Sequence, residues 1–282
     1  MEMQEESCYD ARKRIISYYT EGTDMRPIFE NMDKRAPLVC SLSDASEAEL
    51  IATIRNAIWD GADGFLLHTE CMDKEYRNVE SLKRILAYCE DKPVLTLDYS
   101  WGAGDDTPNA AFLLDTIDAG AGCIDVYADM FDHHDRLCYT DKPEAVKKQM
   151  ELIEKAHAKG AQVMTSCHLF DFVEPEKVVE MGVALEKRGA DIVKFAAQVT
   201  NEDELLEAMR LTVMLKRTLK VPFLHIAMGQ YGKAHRVLAP TLGSCMVLCV
   251  QKYTTRSHKD KPLLRAVRAV YDNLDYKRAR EE

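Results

Sequence analysis

The chain has 282 residues, 46% of them hydrophobic and 30% charged, with a formal net charge of −10. That apolar content excludes intrinsic disorder, and 13 glycines and 9 prolines are too few for a collagen-like or low-complexity chain. The acidic balance works against general binding to nucleic acid or an anionic membrane, and no stretch approaches the ~18 apolar residues of a membrane span.

Met1–Ala36 reads as an N-terminal extension with a helix at Tyr9–Tyr19. Its first stretch, Met1–Arg14, is polar and lacks the apolar centre of a signal peptide. From Pro37 one pattern recurs. A short apolar run rich in Val, Ile and Leu is followed by a longer amphipathic stretch. The runs are Leu38–Leu42, Gly64–His68, Val94–Asp98, Cys123–Tyr127, Gln162–Ser166, Asp191–Ala196, Pro222–Ala227 and Ser244–Cys249. Continuous runs of this length suit parallel strands buried on both faces. Between them helices are predicted at Ser43–Asp60, Asn78–Cys89, Thr107–Ala119, Lys142–Lys159, Glu174–Arg188, Asn201–Leu219, Gln230–Ala239 and Lys261–Tyr276. Ser43 or Asp44 offers a cap for the first, and Gly61 and Gly189 suit left-handed helix ends. Eight βα units in succession predict a single (β/α)8 TIM barrel over residues 37–282, preceded by the extension 1–36. A doubly wound sheet is disfavoured, because Gly102–Gly104 matches a phosphate loop poorly. The nine cysteines form no CxxC pair, which points to reduced thiols in a cytoplasmic protein.

In a barrel of this kind the active site lies at the C-terminal ends of the strands. Candidates there are Thr69 and Glu70, Asp98 and Tyr99, Asp125 and Tyr127, His168, Lys194, His225, Arg236 and Arg256. Lys194 stands out within Ile192-Val193-Lys194-Phe195-Ala196. A buried lysine is costly unless neutral, paired or in use, and a neutral amine can attack a ketone to form a Schiff base. Simple anion binding is the alternative. His168 ends strand 5 beside it and could move protons on an adjacent carbon and a leaving hydroxyl, or serve only as a structural hydrogen-bonding group. Cys167 should face the opposite way, against a Cys–His nucleophilic pair.

The segment Val163–Phe170, with His168, resembles the strand-5 motif of type I 3-dehydroquinate dehydratases. Twenty-six residues on, Ala190–Ala196 looks like the segment carrying their Schiff-base lysine. Ile226-Ala227-Met228-Gly229, Gly232, Arg236 and Gly243-Ser244 resemble their strand 7 to strand 8 region, and Pro37–Leu42, with Ser41, fits their first strand. The resemblance runs from about Pro37 to Tyr276. It implies a cytoplasmic lyase of aromatic amino-acid biosynthesis, in the shikimate route, that needs no metal or cofactor. It also implies a small-molecule keto-acid substrate. Members are homodimeric or monomeric, and a homodimer is the expectation here. Lys194 would form an iminium with the substrate ketone, His168 would act as acid and base, and Arg236 would pair with the substrate carboxylate. Met228 would complete the wall of the pocket.

The departures fall on substrate-holding positions. The family's strand-2 Glu and Arg align with Leu67 and Thr69, its strand-3 Arg with Tyr99, and its strand-4 Glu with Tyr127. The Glu that orients its histidine is met at best by Asp105. Its lid-loop Ser and Gln fall around Thr254 and Arg256–His258. With Trp101, these changes predict a more apolar, aromatic pocket, in which His68, Glu70, Asp98, Arg256 and His258 are the available polar replacements. The substrate is then 3-dehydroquinate or a less hydroxylated relative. The rivals are the same chemistry on a different keto acid, a class I aldolase, a metal site built from His68, Glu70, Asp98 and Asp125, and a non-enzymatic keto-acid sensor.

Overall fold

The computed structural model describes residues 36–99, 104–257 and 259–274. Eight strands alternate with helices: β1 (Leu38–Leu42), α1 (Glu47–Trp59), β2 (Gly64–His68), α2 (Val79–Leu86), β3 (Val94–Leu97), α3 (Thr107–Asp118), β4 (Cys123–Tyr127), α4 (Pro143–Ala158), β5 (Gln162–Leu169), α5 (Pro175–Lys187), β6 (Ile192–Gln198), α6 (Glu202–Thr218), β7 (Phe223–Met228), α7 (Gly232–Leu238), β8 (Val247–Cys249) and α8 (Leu264–Tyr271). All pairings are parallel, in the order β7-β6-β5-β4-β3-β2-β1-β8. The two ends of the sheet meet where the Cys245 N–H donates to the Phe223 carbonyl (2.7 Å) and the His225 N–H donates to Ser244 Oγ (3.1 Å). The sheet therefore curls into the TIM-barrel-like α/β architecture that the repeat predicts.

Strand alternation sorts the apolar runs onto two faces. Val39, Leu66, Leu95, Met164, Ile192, Leu224 and Leu248 belong to one buried cluster that fills the barrel interior. The alternate residues face the helices. Leu38, Cys40, Leu42, Phe65 and Leu67 pack with Leu50, Ile54, Leu82, Ile85 and Val267. Cys167, Val193 and Phe195 pack with Val178, Met181, Leu185, Leu211 and Leu215.

Several boundaries differ from the sequence reading. α1 is capped by Ser46 in a reciprocal capping box with Glu49, and Asp44 instead accepts from Thr53 Oγ1 at 2.7 Å. β5 extends through Leu169, which places His168 inside the strand ladder. α8 begins at Leu264, so Lys261 lies in the preceding loop. Gly61 and Gly189 do take positive φ at their helix ends, +90° and +103°. The extension up to residue 35, with its expected helix at Tyr9–Tyr19, and Trp101 and His258 lie outside the described residues.

Candidate active site

The inward phase of the strands brings Lys194, His168 and Met228 to one cavity of about 220 Å³, which Tyr99, just past β3, and Arg236, on α7, also line, as expected for the C-terminal mouth of such a barrel. Lys194 lies opposite Ser166 in the β5–β6 register, and His168 lies two residues farther along β5, on the same face. Cys167, between them, points under α5, and burial pushes its thiol well above the usual range. A Cys–His nucleophile is therefore not formed.

Lys194 is 3% exposed. Its Nζ donates to Tyr99 Oη (2.9 Å) and to Asp125 Oδ2 (3.2 Å). Tyr99 donates in turn to Asp125 Oδ2 (2.9 Å), and its hydroxyl meets Ser166 Oγ at 2.8 Å. Burial, reinforced by the Asp125 charge, holds the Tyr99 phenol well above its ordinary pKa, so it stays a neutral donor. The ammonium is thus compensated by one fully buried carboxylate, as a buried charge requires. His168 stands edge-on to the Tyr99 ring (5.2 Å between centroids) and stacks with Phe170 (6.2 Å).

Arg236, on α7, is 3% exposed, and its Nη2 donates to Asp260 Oδ2 at 3.0 Å. Its Nε and Nη1 are buried with no protein acceptor. Unpaired buried donors of this kind suit a carboxylate arriving in the cavity. The absence of a side chain at Gly232 lets the Asp260 loop approach this helix. A Cβ there would stand 2.7 Å from Asp260 Cβ and 3.0 Å from the Ala227 carbonyl oxygen.

The cavity holds a second lysine that the sequence reading did not single out. Lys261 is 7% exposed, and its Nζ lies 3.1 Å from Ser41 Oγ and 3.3 Å from His68 Nε2. Burial, aided by the positive charges of Arg236 and Lys194, pushes it down to about 7. Glu70 Oε1 is 3.0 Å from His68 Nδ1, and burial, with the nearby Asp98 charge, pushes that carboxyl up to about 8. No local pattern announces Lys261, because Lys259-Asp260-Lys261 reads as a solvated charge run. Asp260 was missed for the same reason.

Other expected residues lie elsewhere. Leu67 faces the helices in the outer cluster, and the positions of β2 that face the cavity are Leu66 and His68. Thr69 turns away, donating to the Leu97 carbonyl and to Asp98. Tyr127 sits behind Tyr99, edge-on at 5.4 Å, with its hydroxyl on Asp106. Ser41 is reached only through Lys261. Arg256 is exposed and donates to the Cys71 carbonyl, and Asp105 is exposed and accepts from the Thr107 N–H. His225 is buried on the outer face against Thr212 and His235.

The four-residue metal set is not assembled either. Asp98 is held by Thr69, Arg77 and Asn109, while Asp125 is held by Tyr99 and Lys194. Among the described residues, His68, Glu70 and Cys71 do bring ligand atoms within 4.8 Å of one another. The Lys261 amine at His68 works against a cation there.

The family model described as type I 3-dehydroquinase matches residues 38–275. Among curated proteins, the 3-dehydroquinate dehydratase of Alkaliphilus oremlandii is 31% identical over 106 residues, covering 37% of this chain and 42% of that protein. That of Methanosarcina acetivorans is 32% identical over 121 residues, covering 39% and 49%. The alignments thus span less than half the length of these curated relatives. Among solved structures, the 3-dehydroquinate dehydratase of Geobacillus kaustophilus superposes with a TM-score of 0.74 at 16% identity, covering 87% of this chain and 93% of that one. The type I enzyme of Clostridium difficile, solved with covalent modified comenic acid, gives 0.74 at 18% identity, covering 88% and 98%. These structural likenesses bear on the fold. No described helix is long and apolar enough to cross a membrane.

Proposed function

Because the chain belongs to the type I 3-dehydroquinase family, we propose that it is a Schiff-base dehydratase. It eliminates water from 3-dehydroquinate or a less hydroxylated cyclic β-hydroxy keto acid. The observation that carries this reading is the buried Lys194, which shares one cavity with His168 and with an Arg236 that has unpaired nitrogens.

The Arg236 guanidinium binds the substrate carboxylate and places the ketone at Lys194. The free amine form of Lys194 adds to the carbonyl carbon, and loss of water from the carbinolamine gives an iminium. That nitrogen carries the same positive charge as the resting ammonium, so Asp125 stays its counter-ion and stabilises the intermediate. The iminium acidifies the neighbouring carbon, and His168 removes its proton to leave an enamine. The enamine electrons then expel the β-hydroxyl, to which His168 returns the proton, so that it leaves as water. Hydrolysis of the conjugated iminium releases the enone and restores Lys194. No cofactor enters these steps. We infer a reducing, cytoplasmic setting from nine cysteines that form no CxxC pair, and a homodimer from the family.

Incubation with 3-dehydroquinate and borohydride should add mass to Lys194, and turnover should appear as enone absorbance. Lys194→Met should abolish both. His168→Ala should keep the adduct but lose about 10²–10⁴-fold in elimination. An adduct without turnover in the intact protein would move the reading to another keto acid. No adduct with any ketone tried would sink it in favour of a binding protein.

A further inference from the structure

The reaction above uses Lys194, His168 and Arg236. To the same cavity the tip of β2 and the loop before α8 add a cluster that no step requires: Lys261, His68, Glu70 and Ser41. Lys261 is fixed by its backbone. The Val250 N–H donates to the Pro262 carbonyl (3.0 Å), the Leu264 N–H to the Val250 carbonyl (2.9 Å), and the Tyr253 hydroxyl to the Lys261 carbonyl (3.0 Å). A long, rotamer-rich side chain held this way has lost much of its freedom before any ligand arrives.

Its surroundings offer hydrogen bonds of both kinds. An ammonium has three N–H donors, and Lys261 Nζ lies within hydrogen-bond reach of Ser41 Oγ and His68 Nε2. Glu70 Oε2 is buried without a partner, and burial keeps the carboxyl protonated up to about 8, so this oxygen can give or take a hydrogen bond. The Lys261 amine and this carboxyl therefore line the same cavity, with Leu66 and Leu248 forming its apolar wall. This suits a hydroxyl, which both gives and takes a hydrogen bond, better than it suits a methylene, which would leave the polar atoms dry.

We propose that Lys261, with His68 and Glu70, forms a specificity subsite that binds ring hydroxyls of the substrate, in the same cavity as Lys194. The proposal rests on the reading of the cavity as a keto-acid site and deepens it by favouring the hydroxylated members of that class. The polar groups come from the tip of β2 and the β8–α8 loop, and they offset the apolar character of Leu66.

Equilibrium binding of two ring carboxylates tests this without needing a Schiff base: quinate, which carries ring hydroxyls, and cyclohexanecarboxylate, which carries none. The intact protein should prefer quinate. Lys261→Met should weaken quinate binding by about tenfold or more while changing cyclohexanecarboxylate less than about threefold. Lys261→Gln, which keeps a donor, should fall between. Equal weakening of both acids, no weakening of either, or no preference for quinate in the intact protein would overturn the proposal. Near-ultraviolet circular dichroism of each variant separates lost binding from lost folding. Borohydride trapping with 3-dehydroquinate is read separately. If it fails while the quinate preference persists, the dehydratase reading falls and the subsite stands.

Discussion

Replacing Lys261 by Met should stabilise the protein, and by an amount that depends on pH. The lysine is held at about 7 in the folded chain against an ordinary 10.5. Below pH 7 both states carry the proton, and the folded state bears the full penalty of a buried ammonium. Between pH 7 and 10.5 the unfolded chain binds the proton and the folded one does not, so the penalty fades as pH rises. A shift of this size corresponds to about 5 kcal/mol at pH 6 and about 1.4 kcal/mol at pH 9.5, as order-of-magnitude values. The Met variant also loses the contacts to Ser41 and His68, worth about 1 kcal/mol each. The net gain is then about 3 kcal/mol at pH 6, equivalent to a rise of roughly 6–12 °C in Tm, and near zero at pH 9.5. Urea unfolding of both proteins at the two pH values measures it. If the variant is no more stable at pH 6, or its advantage does not shrink by pH 9.5, Lys261 is not a strained buried charge.

Two further outcomes follow from packing at the site. Gly232→Ala puts a methyl 2.7 Å from Asp260 Cβ and should displace that loop from Arg236. On whichever substrate traps Lys194, kcat/KM should fall by about tenfold or more, whereas a value within twofold of the parent would mean the loop is not held by this contact. Cys167→Ser should keep activity within about threefold, and iodoacetamide near neutral pH should leave the enzyme working, because the thiol is buried on the outer face and far from ionising. Loss of activity in a Cys167→Ser variant that keeps its near-ultraviolet circular dichroism, or a loss on alkylation that replacing Cys167 prevents, would put Cys167 into the chemistry.

The parts of the site readable in the sequence are those where a local rule is broken. Lys194 interrupts an otherwise apolar strand, and His168 occupies a strand end, so each stands out against its neighbours. The β2 positions illustrate a limit of that logic. A strand's side chains alternate, so an offset of one residue in matching it to the family exchanges its two faces. The expected Leu67 and Thr69 turn outward, while Leu66 and His68 face the cavity. Asp125 could be named as a polar residue on a strand, but its pairing with Lys194 depends on the register across β4, β5 and β6. Lys261 and Asp260 are hidden for a different reason. They lie in a charged run that looks solvated, and long-range ties, the Val250–Leu263 bridge and the Arg236–Asp260 ion pair among them, bring that run over the barrel mouth.

The closure of the sheet divides these roles in space. From β1 through β7 every neighbour is joined by a strand ladder, and β8 is laddered to β1. Between β7 and β8 the ring is fastened by Ser244 and Cys245, just ahead of β8. The barrel behaves as a clasp. Its continuous arc carries Lys194 and His168, and its two jaws lead into the segments that carry Arg236 and Lys261. Substitutions near the fastening can respace the groups that choose the substrate while the reacting pair keeps its alignment, so this architecture lets the range of accepted rings drift without the reaction being rebuilt.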